Sequence, residues 1–237
     1  MKGIVLAGGS GSRLYPLTKV TNKHLLPIGE KPMIFYPIEK LTAVGISEIL
    51  IVTGTEHMGD VVNLLGSGKD FGCRFTYKVQ DEAGGIAQAL GLAENFAGND
   101  PMVVILGDNV FESNLEKAIA GYPGEGAQIL IKQVDDPERF GVPELEGDRI
   151  IGIEEKPEQP KSSYAVTGIY MYDSAVFDLI RTLKPSKRGE LEITEVNNHY
   201  IKNGKMSYSI LDGWWTDAGT HESYRLANQL VAKLGEE

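Results

Sequence analysis

Residues 2–32, KGIVLAGGSGSRLYPLTKVTNKHLLPIGEKP, constrain this chain more than any other stretch. Ile4, Val5 and Leu6 form a short continuous apolar run that Gly8 and Gly9 end, the pattern of a central parallel strand covered on both faces. A glycine loop therefore begins at the carboxyl end of a strand. Gly8, Gly9 and Gly11 remove side chains that would keep a ligand off the main chain, so successive N–H groups can turn toward an anion. Ser10 and Ser12 add short donors, Arg13 adds a planar charged fork, and Lys19, Lys23 and Lys31 add point charges. Cations gathered beside a glycine loop point to a polyphosphate; the alternative is a flexible strand-to-helix turn with ordinary surface charges. Two better-known loops do not fit. A Walker loop needs Gly-Lys-Ser/Thr after four spacers, and the dinucleotide fingerprint needs a third glycine where this chain has Leu14.

The chain has 237 residues, enough to bury a sizeable core, and no stretch forces a division into domains. No run is long enough to span a bilayer, and the apolar residues after Met1 lack the length and cleavage pattern of a signal peptide. A cytoplasmic protein with no membrane partner is expected. Cys73 is the single cysteine and the four histidines show no zinc spacing, so neither an internal disulfide nor a structural metal is expected. A formal net charge of −10 argues against a nucleic-acid partner, because only the first loop gathers cations.

Further along, helical spacing over 33–44 stops at Gly45, and 49–52 reads as the next parallel strand. A short helix is expected over 59–65, a third strand over 75–79 ending at Gln80, and one helix over 86–96. Gln80 and the Gly84-Gly85 pair are the first candidates for reading a base, since an amide can both donate to and accept from a pyrimidine edge; a polar strand end followed by a turn is the alternative. The buried run 102–106 ends in Gly107-Asp108-Asn109. A carboxylate there is well placed to hold a hard cation, although the tripeptide could equally organise a tight turn. After a strand over 127–134, the runs 142–145 and 150–153 flank Glu146-Gly147-Asp148 and predict a hairpin that adds antiparallel elements to the sheet. A strand over 165–172, a helix over 174–183 with Ser174 as N-cap, a helix over 193–201 and an edge strand over 206–211 follow. Trp214 and Trp215 read as core packing, Asp217 follows them, and a last helix runs from about Thr220 to Lys233.

The segments LAGGSGSRLYPLT and NKHLLPIGEKPMI together resemble the signature of the sugar-1-phosphate nucleotidylyltransferases, most closely the glucose-1-phosphate thymidylyltransferases. The resemblance extends through LGDN, RFGV, EEKP, KSSYAVTGIY, KPSKRGELEIT and residues 215–220. It implies one nucleotidyltransferase domain over 1–237, with a nucleotide-binding part to about residue 110 and a sugar-binding part beyond it. The implied fold is α/β, a Rossmann-like, mostly parallel sheet with helices on both faces and the site along its carboxyl edge.

By the same resemblance, Leu6, Gly8, Gly9, Gly11, Ser12, Arg13, Gln80, Gly85 and Asp108 would bind the nucleotide. Gly141, Glu155, Lys156, Val166, Tyr170 and Glu190 would bind the sugar phosphate, and Asp108 and Asp217 would hold Mg2+. The implied reaction is attack of glucose 1-phosphate on the α-phosphorus of dTTP, with Arg13, Lys23 and Lys156 as catalytic residues and no general base, because a sugar phosphate is already an anion. Homo-oligomers, dimer or tetramer, and the dTDP-rhamnose pathway are expected on the same footing. UTP-dependent uridylyl transfer and a noncatalytic nucleotide-sugar sensor are the alternatives. His24 stands where many members have glutamine, and Ser12 where threonine is commoner. Longer relatives carry a C-terminal helical segment that helps form a regulatory site, so little feedback inhibition is expected of this chain.

Overall fold

The computed structural model describes residues 1–234. Its strands are β1 (Lys2–Ala7), β2 (Pro27–Ile28), β3 (Lys31–Pro32), β4 (Glu48–Gly54), β5 (Arg74–Gln80), β6 (Met102–Leu106), β7 (Asn109–Phe111), β8 (Ala127–Gln133), β9 (Gly141–Glu146), β10 (Arg149–Glu155), β11 (Tyr164–Tyr172), β12 (Met206–Ile210) and β13 (Trp215–Asp217). Its helices are α1 (Phe35–Ala43), α2 (Met58–Leu65), α3 (Ile86–Gly91), α4 (Glu94–Ala97), α5 (Glu116–Gly121), α6 (Ala175–Ile180), α7 (Ile193–Lys202) and α8 (His221–Leu234). The main sheet is mixed, mostly parallel, with the order β12-β8-β11-β6-β1-β4-β5. Among the described residues no helix is long and apolar enough to cross a membrane.

The chain divides into two compact units, one built from residues 2–83, 105–115 and the C-terminal residues from Gly213, the other from residues 84–104 and 116–212. In the first unit β1, β4 and β5 run parallel, with Ala7 opposite Thr53 and Thr53 opposite Val79. That register brings the glycine loop and Gln80 out at the same edge. Ile4, Val5 and the Ile49, Leu50, Ile51 and Val52 run are fully buried; each such side chain contributes about 1.5–3 kcal/mol relative to an exposed one. Helix α8 returns to the N-terminal segment. Ala227 packs with Ile28, Met33, Tyr36, Val110 and Ala218, and the Asn228 side chain accepts from the Gly29 N–H at 3.0 Å.

In the second unit β8 pairs antiparallel with β11 and parallel with β12. The register of β11 shifts between Val166 and Tyr170, an irregularity of the kind that re-aims side chains beside sites. The predicted hairpin forms, as β9 and β10, but it is a two-stranded sheet of its own. The antiparallel element of the main sheet is β11 instead. Asn198 of α7 holds the ribbon, accepting from the Ile153 N–H at 2.9 Å and donating to its carbonyl at 2.8 Å, so a side chain takes the backbone groups of Ile153 that a neighbouring strand would otherwise have paired. The helix expected over 86–96 breaks into α3 and α4, with Leu92 and Ala93 between them making shorter-range bonds to Ala89 and Leu90. Ser174 occupies the N-cap position of α6 without a side-chain cap bond, because its backbone is already helical (φ −68°, ψ −16°).

Candidate active site

The glycine loop of the first unit is shaped by left-handed backbone at Gly9 (φ 96°) and Gly11 (φ 61°). A methyl on Gly11 would lie 2.8 Å from Thr18 Cγ2, and Thr18 Oγ1 donates to the Gly11 carbonyl at 2.9 Å. Residues Ser12–Leu14 then turn as a 3-10 helix that buries Leu14 completely and leaves Arg13 exposed. The residue that replaces the third fingerprint glycine is thus the loop's apolar anchor. A methyl on Gly8 would sit 2.6 Å from Gln80 Oε1, so the missing side chain is what lets the buried Gln80 amide reach over the start of the loop. Leu6 contributes its carbonyl, which accepts from the Gly107 N–H at 2.9 Å and ties β1 to the Gly107-Asp108 turn.

Lys23 and Asp108 form an ion pair with Nζ to Oδ2 at 2.5 Å, each side chain only 12% exposed. Burial opposes the charge on Asp108, but Lys23, His24 and hydrogen bonds from Lys23 and Asn109 outweigh it and hold the carboxyl well below the usual carboxylate range. His24 is buried, its Nδ1 2.7 Å from Asn22 Oδ1 and its ring against Gly107, where a methyl would meet Cδ2 at 2.7 Å. Burial first, then the neighbouring Lys23 charge, pushes its imidazole down to about 3, so it is neutral at physiological pH. His24 is a structural wedge under the Asp108 turn.

Asp217 reaches Asp108 through strand pairing. β13 lies antiparallel to β7 with Asp217 opposite Asn109, the Trp215 indole donates to Asn109 Oδ1 at 2.7 Å, and the Ala218 N–H donates to the Asp108 carbonyl at 2.8 Å. Trp215 therefore does more than fill the core, whereas the half-buried Trp214 packs against the α8 cluster. The carboxylates converge beside Gly219: a methyl built there would stand 3.4 Å from Asp217 Oδ2, 3.5 Å from Asp108 Oδ2 and 3.6 Å from Arg13 Nη2. Two carboxylates facing one side-chain-free space suit a hard cation that takes its remaining ligands from water and phosphate. Among the described residues no group of three or more His, Cys, Asp or Glu gathers for a metal, so protein carboxylates alone would supply only part of such a cation's shell.

In the second unit the hairpin register puts Gly141 opposite Glu155. A Gly141 methyl would lie 3.5 Å from Glu155 Oε2, which accepts from Thr194 Oγ1 at 2.7 Å. Lys156 follows with φ 50°, left-handed backbone in a non-glycine residue, its N–H donating to the Phe140 carbonyl at 2.9 Å. That conformation costs roughly 1–3 kcal/mol and is held by the hairpin's closing bond, strain of the sort found at functional sites. Glu190 belongs to a loop clipped to the Gly84-Gly85 turn: the Leu191 N–H donates to the Gly84 carbonyl at 2.7 Å and the Ala87 N–H to the Leu191 carbonyl at 3.2 Å. Gly85 has φ 98°, and a methyl there would come within 2.6 Å of the Leu191 carbonyl. Val166 is half-buried at the β11 irregularity; Tyr170 is buried and stacked on Tyr172 at 5.9 Å.

Four contributors escape the sequence reading. Asn22 acts through its side-chain oxygen on His24, Gly219 through the space it leaves, and Thr194 is an unremarked helix residue. Arg188, in KPSKRGELEIT, faces Glu155 and Glu190 at 3.7 and 3.8 Å and clamps Glu192 at 2.8 Å. In the sequence the available signal was Arg188 standing just ahead of Glu190 and Glu192; nothing there brings Glu155 to it.

The family model for nucleotidyl transferases matches residues 2–233. The glucose-1-phosphate thymidylyltransferase of Neisseria meningitidis serogroup A is 47% identical over 98% of this chain and 82% of its own length. A crystal structure from Bacillus anthracis, provisionally described as a glucose-1-phosphate thymidylyltransferase and bound to sucrose, is 62% identical with a TM-score of 0.94, covering 97% of this chain and 94% of that one. A UDP-glucose pyrophosphorylase with bound UDP-glucose is 28% identical with a TM-score of 0.86 over 98% of each chain. With one family model running almost end to end over a mixed sheet and a glycine loop, the chain belongs to the nucleotidyl transferase family and is a nucleotidyltransferase.

Proposed function

We infer that the protein transfers a thymidylyl group from dTTP to glucose 1-phosphate, giving dTDP-glucose and pyrophosphate. The convergence of Arg13, Asp108 and Asp217 around Gly219 carries the reading, because it gathers the charges that nucleotidyl transfer needs at one point. The near end-to-end likeness to a thymidylyltransferase supplies the substrates.

A phosphate oxygen of the sugar attacks the α-phosphorus; the new P–O bond forms as the bond to the β-phosphate oxygen breaks, and pyrophosphate leaves with the electron pair. The sugar phosphate is an anion already, so no residue has to remove a proton. Main-chain N–H groups of Gly8, Gly9, Gly11 and Ser12 bind the triphosphate, and Arg13 neutralises the charge that grows on the leaving group. Gln80 and Gly85 read the base. Lys23, held by Asp108, and Lys156 offset repulsion between the reacting phosphates, while Gly141, Glu155, Val166, Tyr170 and Glu190 receive the sugar. Asp108 and Asp217 would hold Mg2+, which when bound neutralises and orients phosphate oxygens.

The family match over residues 2–233 supports a single nucleotidyltransferase domain. A cytoplasmic homo-oligomer supplying dTDP-glucose to dTDP-rhamnose synthesis is proposed with it. The likeness to UDP-glucose pyrophosphorylase favours a second reading, uridylyl transfer from UTP. A pocket gains only about 1–3 kcal/mol from the thymine methyl, so the two nucleotides must be compared directly. Pyrophosphate release with Mg2+ tests this, pairing dTTP or UTP with glucose 1-phosphate or N-acetylglucosamine 1-phosphate at subsaturating concentrations. Preference for dTTP with glucose 1-phosphate is expected. Preference for UTP selects the second reading, and nucleotide binding without release from any pair overturns both.

A further inference from the structure

The Arg188 guanidinium sits among three carboxylates but bonds to one of them. Its Nε and Nη2 donate to Glu192 Oε1 at 3.2 and 2.9 Å, and Nη2 donates to Glu192 Oε2 at 2.8 Å. Glu155 and Glu190 stay at 3.7 and 3.8 Å, beyond hydrogen-bond length. Glu192 is itself fixed: its side chain is 15% exposed, against 33% for Glu155 and 40% for Glu190. Ser186 Oγ donates to its Oε1 at 2.7 Å, and the Arg188 N–H donates to the same Ser186 hydroxyl at 3.2 Å. The loop is closed by the Ser186 N–H on the Glu190 carbonyl at 2.8 Å.

We propose that Glu192 is a positioning residue, holding Arg188 as a counter-ion that faces Glu155 and Glu190 without closing on either. Both carboxylates then stay outside a closed ion pair and keep their lone pairs for hydroxyl donors of the sugar. Without the clamp, the nearest carboxylates for the guanidinium are the two that would receive the sugar, and a closed ion pair would occupy them. The inference rests on the sugar-binding roles given to Glu155 and Glu190 above.

The test is steady-state kinetics of Glu192→Gln, which keeps the side chain's size and removes its charge. KM for glucose 1-phosphate is expected to rise about tenfold, the scale of a lost charged hydrogen-bond acceptor, with KM for dTTP within about twofold of wild type. Discrimination between glucose 1-phosphate and its mono-deoxy analogues should shrink, since hydroxyls would no longer find open acceptors. Ser186→Ala removes the second support of Glu192 and should move the sugar KM the same way by about threefold; it replaces Glu192→Gln if that variant does not fold. An unchanged sugar KM, or equal losses for both substrates together with a lowered melting temperature, overturns the proposal. Wild-type enzyme that makes no dTDP-glucose sinks the functional reading instead.

Discussion

The unit with the glycine loop buries one pair of charges, Lys23 and Asp108, in direct contact and leaves Arg13 exposed, whereas the unit with the carboxylate cluster holds Arg188, Glu155 and Glu190 near the surface. Lys23 and Asp108 are 12% exposed and in direct contact, while Arg188, Glu155 and Glu190 are 46%, 33% and 40% exposed and separated by more than a hydrogen bond. The difference follows from what each would meet. A triphosphate brings high charge that fixed dipoles and buried ions can stabilise without rearranging. A sugar brings neutral hydroxyls, which need acceptors that are charged but not already spent on a partner.

Removing a fixed charge from the first unit is the strongest way to test that contrast. Arg13→Ala and Asp217→Asn should each lower kcat by about 100- to 1,000-fold, the usual scale for a group that meets charge in the transition state. Normal turnover with only a raised KM would show that these groups bind the ground state, and the contrast would fall.

The rigid point of the second unit is its backbone clip, so Gly85→Ala should act on both substrates. The methyl cannot fit against the Leu191 carbonyl without moving the segment that bears Glu190. We expect KM for glucose 1-phosphate and for dTTP to rise together, by about tenfold for a change of roughly 1.4 kcal/mol. A rise confined to dTTP would mean that the clip does not transmit.

The remaining effect acts on stability and pH, not on turnover. His24 is held at about 3 in the folded protein against 6.5 for an ordinary histidine. The unfolded chain therefore takes up a proton below about pH 6.5 that the folded chain refuses. Stability from this group is complete above that pH and is lost as pH falls toward 3. In chelator and without nucleotide, wild type should lose about 2 kcal/mol of unfolding free energy between pH 7.5 and 5 through His24, a loss absent from His24→Gln. Equal pH slopes in urea titrations of the two proteins would place His24 outside the buried wedge.

The first unit was the more legible because its site is largely contiguous. The strand, the glycines, Arg13 and Lys23 lie within residues 2–32, and local rules for parallel strands and phosphate loops read them directly. In the second unit Glu155, Arg188, Glu190 and Thr194 come from a ribbon, a loop and a helix, and a run such as EEKP carries no local sign of which side chain faces which. The hairpin shows the same limit: its turn is local chemistry, but that it stays a sheet of its own, with Asn198 on both backbone groups of Ile153, is set by contacts distant in the chain.

The sequence by itself determined the strands of the main sheet, the longer helices, the glycine loop and the resemblance that assigns the chemistry, since each depends on periodicity, glycine placement and motifs a few residues long; the short elements β2, β3, β7, β13 and α5 and the break between α3 and α4 carried no such signal. Only the tertiary structure decided that Asp217 stands beside Asp108, that His24 is a neutral wedge, and that Arg188 clamps Glu192 while Glu155 and Glu190 stand at 3.7 and 3.8 Å. These depend on strand pairing across long sequence separations and on burial, and a single side chain's identity encodes neither.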